Sequence, residues 1–157
     1  MFSLVLATWM ATVPLADDLV PRVDLAAFGR LLQKKVRNLQ GQPGLWKARD
    51  GKFQLFIEVD ERLNRVRIMI PVRPIDCDDK QLLLTLLSAN FDRALEAKYA
   101  VNRRMIWSVF SHPFDTLTEA DLDNALKQVR QLAENTGTTF SSTNNHFATM
   151  EVVDDDD

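Results

Sequence analysis

Two histidines and one cysteine are all the imidazole and thiol chemistry open to this 157-residue chain. His112 is the better placed histidine, because Asp115 and Asp121 follow it in the stretch HPFDTLTEAD. An imidazole beside carboxylates can move a proton as general acid or base. The same residues are also explained without chemistry: His112 and Pro113 finish a strand, Thr118 caps a helix, and Asp121 completes the cap. That structural explanation accounts for every one of them and is preferred. A metal centre built from His112, His146 and Cys77 lacks any pair of ligands one helical turn apart. Asp76, Asp78 and Asp79 lack the glycine and the distant glutamate of a calcium loop, so they are read as helix initiators. Cys77, set among those acids, is a poor thiolate. No glycine-rich phosphate loop exists among five glycines. No catalytic residue, cofactor or metal is therefore expected, and the chain is read as not an enzyme. The alternative is a small hydrolase or metal-dependent protein centred on His112.

Composition narrows the partners without naming a function. Nineteen basic residues against 22 acidic ones leave a net charge of −3, where a nucleic-acid binder shows a basic excess. The cluster Lys47, Arg49, Lys52, Arg62, Arg65 and Arg67 is read as the charged border of a sheet, which discourages edge-to-edge pairing. No nucleic-acid partner is expected. A single cysteine excludes an internal disulfide.

Three segments follow from patterning. Residues 1–16 are uncharged and mainly apolar, like the hydrophobic region of a secretory signal, but without a basic start and with Pro14 at the cleavage region. They are either a cleaved signal, which places the protein in the periplasm or outside the cell, or a retained apolar arm of a cytoplasmic protein. They are too short for a stable membrane span. Residues 24–140 form the domain, and residues 141–157 a polar, acidic tail expected to be disordered.

Within the domain, Asp24 caps a helix whose apolar positions Leu25, Phe28, Leu32, Val36 and Leu39 recur at helical spacing, with its stop at Gly41 and Pro43. The period then becomes two. A weak strand over Leu45 to Ala48 precedes Phe53–Val59 and Val66–Val72, which alternate apolar and polar residues and are ended by Pro71 and Pro74. Asp78 is expected to cap a second helix, with Gln81 reaching back and Cys77 and Leu82 as a staple. Its broad apolar stripe predicts burial against the sheet. Strands follow at Lys98 to Asn102 and Met105 to Ser111. Thr118 opens the last helix, with Leu122, Ala125, Leu126, Val129, Leu132 and Ala133 inward and Asp123 paired with Lys127 outside. The sum is an α+β fold: a five-stranded antiparallel sheet with helices in the order α-β-β-β-α-β-β-α.

That order, with the stretches RVRIMIPV (Arg65 to Val72), LLSANF (Leu86 to Phe91) and HPFDTLTEADLDNALKQVRQLAE (His112 to Glu134), resembles the type III secretion chaperone-like fold, which includes effector chaperones and YbjN-like bacterial proteins. The resemblance implies a non-enzymatic protein-interaction or regulatory module, a homodimer paired through the middle helix and nearby strands. Its partner would be a polypeptide held on apolar patches or a sheet edge. It also implies that Leu83, Leu87, Phe91, Trp107 and Val109 form core or dimer contacts.

Overall fold

The computed structural model describes residues 24–92 and 94–136. The segments 1–16 and 141–157, and His146 with them, lie outside the described residues. The chain runs α1 (Leu25–Lys35), β1 (Arg37–Gln42), β2 (Leu45–Asp50), β3 (Phe53–Asp60), β4 (Arg65–Pro74), α2 (Lys80–Asp92), β5 (Lys98–Asn102), β6 (Met105–Pro113) and α3 (Glu119–Asn135). All strand pairs are antiparallel and form one sheet in the order β1-β2-β3-β4-β6-β5. The architecture is the expected α+β one, with six strands in place of five.

The additional strand comes from the end of the first helix. Asp24 caps α1 through its carboxylate, which accepts from Ala27 N at 2.5 Å. The helix stops at Lys35, because Val36 is extended and Asn38 and Gly41 take φ of 52° and 120°, values no helix interior accommodates. Gly44, at φ 89° after Pro43, then reverses the chain into β2 in the manner of a Pro-Gly turn. Leu39 and Gly41 thus belong to an edge strand and not to a helix or its stop.

Pro71 and Pro74 do not end the ladder either. The register of β4 against β3 finishes at Met69, whereas its register against β6 continues to Pro74 with a shift between Pro71 and Arg73. Proline is tolerated there because one flank of β4 is already free and the other is bulged. Arg103 and Arg104 between β5 and β6 both have positive φ, 49° and 58°, as a two-residue type I′ hairpin requires.

α2 begins later than expected. Leu83 N bonds Asp79 O at 2.9 Å, and the Asp79 carboxylate accepts from Asp76 N at 2.7 Å, while Cys77 is exposed. Arg73 clamps this turn, reaching Asp79 at 2.8 Å and Asp76 at 3.2 Å. α3 matches its sequence pattern. Thr118 and Asp121 form the reciprocal capping box, and every residue expected to face inward is buried. The Thr118 hydroxyl and backbone N–H hold the Asp121 carboxyl below its ordinary range, so this cap persists above that range and is lost as pH falls through the lowered value. Asp123 pairs not with Lys127 but with Lys35 at 2.8 Å, which also meets Glu119 at 2.7 Å. Those two carboxylates tie the end of α1 to the start of α3 and raise the Lys35 pKa, Asp123 contributing more.

The core lies between the sheet and the α1 and α3 helices. Phe28 is 1% exposed and stands edge-on to Trp46 at 5.7 Å and Phe114 at 5.5 Å. Ile57, Ile68, Ile70, Ile106 and Phe110 fill the same face of the sheet. One polar atom breaks the pattern: Ser108 Oγ is buried among them with no hydrogen-bond partner. An unmet buried hydroxyl is a standing cost. Ser108→Ala is therefore expected to raise stability by about 1 kcal/mol in chemical denaturation; a loss of similar size would mean the hydroxyl has an acceptor.

Candidate protein-interaction site

The residues singled out from sequence fall on two different surfaces. Leu83, Leu87 and Phe91 are on α2, at the β5 side of the sheet, with Leu83 half-buried in a 260 Å³ groove that Leu87 and Val101 also line. Trp107 and Val109 point from β6 to the opposite, helix-free face.

α2 is apolar on two sides, and only one is covered. Leu86 and Ala89 face the domain and are buried. Leu84, Leu87 and Phe91, spaced to share the other side of a helix, are 50%, 63% and 76% exposed. The helix is therefore not largely buried, because a sheet can cover only one of its two stripes. Leu84 was not singled out by sequence, although its spacing to Leu87 and Phe91 carried the signal. Val101 on the neighbouring strand is also open, at 56%.

The β5 edge beside this stripe is protected at all but its far end. The Asn90 side chain acts as a strand surrogate: its Oδ1 accepts from Tyr99 N at 2.7 Å and its Nδ2 donates to Tyr99 O at 2.9 Å. Gln128 Oε1 accepts from Ala97 N at 2.9 Å and Glu96 N at 3.0 Å. Lys98 Nζ donates to the Asn90 and Ala94 carbonyls at 2.8 Å each, a cation on the carbonyl end of α2. Tyr99 donates its hydroxyl to Leu132 O at 2.6 Å, locking β5 onto α3, and burial raises its pKa. An incoming strand would find free backbone only around Val101. Asn90→Ala strips both groups from Tyr99 and is expected to cost about 2 kcal/mol of stability and to speed exchange of the Tyr99 amide. An unchanged exchange rate would show that the amide is not sheltered by Asn90.

The helix-free face is built from the alternate residues of each strand. Cross-strand pairs place Lys47 beside Phe56, Phe56 beside Met69, and Met69 beside Val109 in one row. Trp107 lies next to that row, edge-on to Phe56 at 5.7 Å, and Lys47 sits 5.5 Å from the Phe56 ring centre. A depression of 440 Å³ lies over these side chains. Phe56 and Met69 were not singled out by sequence, since one strand at a time shows only that they alternate with buried neighbours.

His112 makes the contacts of a strand-end residue beside a helix cap. Its Nδ1 lies 2.8 Å from the Pro113 carbonyl, its ring is parallel to Phe110, and Asp121 is engaged by Thr118. Among the described residues no three His, Cys, Asp or Glu side chains converge as a metal site. Among them too, no helix is long and apolar enough to cross a membrane.

No family model matches the sequence, and no curated protein matches it. Solved structures do match. The chain is similar to a chain of the ExsC-ExsE complex, with 15% identity and a TM-score of 0.57 over 71% of this chain and 92% of that one. It is similar to a chain of the heterodimeric ExoU-SpcU complex from the type III secretion system of Pseudomonas aeruginosa, with 14% identity, a TM-score of 0.55, and 68% and 90% covered. The HopA1-SchA chaperone-effector complex supplies another match at 17% identity and a TM-score of 0.53, over 71% and 88%. The chain thus has the type III secretion chaperone-like fold.

Proposed function

We propose that residues 24–140 are a non-enzymatic protein-interaction or regulatory module of the secretion-chaperone or YbjN-like kind. Two copies pair through α2 and the β5 side of the sheet, and a polypeptide partner is held on apolar surface. The observation that carries this reading is the outward stripe Leu84, Leu87 and Phe91, adjoined by exposed Val101. A contiguous apolar surface of this kind on a folded domain marks an interaction site. A two-fold pairing would set the stripe against its own copy, so that Leu87 counts twice in one interface. Leu83 supports Leu87 from the groove side, while Trp107 and Val109, on the other face, remain for the partner. The matched structures supply a second support, since each is a complex of proteins. Light scattering on the full chain tests the pairing. A mass about twice 17.9 kDa at micromolar concentration is the expected result, and a monomer there sinks it.

A further inference from the structure

The helix-free face has a charge unlike that of the whole chain. The chain carries a net charge of −3, yet this face presents Lys47, Arg49, Arg65 and Arg67 against Glu58 and Asp60. The two carboxylates are already engaged: Glu58 pairs with Arg67, and Asp60 accepts from Leu63 N at 3.0 Å in the β3–β4 turn. Arg65 Nε is buried without an acceptor, although Asp60 lies directly across from it. Lys47 has a ring, not a carboxylate, for a neighbour. The surface therefore offers cations without a carboxylate partner beside the apolar row Phe56, Met69 and Val109, with Lys47 at one end of that row, Arg49 next along β2 and Arg65 further along β4.

We infer that this face binds a polypeptide segment with apolar side chains at its centre and carboxylates at its flanks. The inference rests on the reading above that the protein holds a partner polypeptide, and it names that partner's chemistry. Apolar side chains of the segment enter the 440 Å³ depression beside Trp107, a size that falls within the range of ligand-holding clefts. Its carboxylates meet Lys47, Arg49 and Arg65, where charge-assisted bonds are stronger than neutral ones. A nucleic acid fits less well, because the centre of the face is an apolar row and not the continuous basic stripe that a phosphate backbone needs.

The test uses the full chain and labelled peptides in fluorescence anisotropy. One peptide has a Val-Leu-Val-Leu centre between Asp-Asp-Asp flanks, a second has Ser flanks, a third Lys flanks, and a single-stranded oligouridine serves as the nucleic acid. The Asp-flanked peptide should bind most tightly, its affinity should fall as salt rises, and Lys47→Glu should weaken it at least about tenfold. Lys47 is exposed, so this variant should keep the fold; Arg65→Glu, nearer the sheet, is read alongside with its melting temperature. Equal binding of the Ser- or Lys-flanked peptide, tighter binding of oligouridine, or no binding of the Asp-flanked peptide overturns the inference. Light scattering on the same samples keeps the two ideas apart. A dimer that shows no preference for acidic flanks leaves the pairing through α2 standing, and a monomer removes that pairing whatever the peptides do.

Discussion

Leu87→Asp is expected to turn the proposed dimer into a monomer without unfolding the domain. Leu87 is 63% exposed in the isolated chain, so the carboxylate costs the monomer little. In a two-fold interface the same substitution buries two unpaired carboxylates, at ~3 kcal/mol each, for a dissociation constant raised on the order of 10⁴-fold. Light scattering and sedimentation at matched concentration measure the effect. Leu84→Asp, on the same stripe, should act in the same direction. If Leu87→Asp keeps both its melting temperature and a dimeric mass, the copies do not pair through α2. If it loses its fold, Leu87 is a core residue, in conflict with its exposure.

Phe28→Ala should produce the largest loss of stability of any single truncation considered for this domain, about 3 to 5 kcal/mol. The ring is 1% exposed and bridges Trp46 on β2 with Phe114 after β6, so its removal opens a cavity that two aromatic neighbours cannot close. The lost edge-to-face contacts add to the lost burial. Because Phe28, with Leu32, fastens α1 to the sheet, near-ultraviolet dichroism should fall along with the denaturation midpoint. A loss below about 1 kcal/mol would mean that α1 is only loosely docked and that the core resides between α3 and the sheet.

The proposed binding surface is only partly readable in the sequence. Leu83, Leu87, Phe91, Trp107 and Val109 were grouped as one set of contacts, and the fold separates them onto opposite sides of the sheet. Asn90 carries no motif, yet its amide closes the β5 edge, because only the packing of α2 against β5 brings it opposite Tyr99. Arg65 and Lys47 read as a charged border. That they flank an apolar row depends on the register of β2, β3 and β4, which pairs Lys47 with Phe56 and Phe56 with Met69.

The sequence by itself determined the features whose causes are local. The Thr118 and Asp121 box, the inward stripe of α3, the Asp24 cap, and the alternation of β3 and β4 are set by neighbours within a turn or two, and the structure contains them all. Only the tertiary structure decided that the chain after Lys35 is an edge strand. Val36 and Leu39 fit a helical period as well as they fit a strand, and the choice goes to pairing with β2. It also decided which side of α2 meets solvent. Leu84, Leu86 and Leu87 are chemically alike, and a stripe becomes core or interface according to which side the sheet approaches, a contact between residues far apart in the chain that no local period contains.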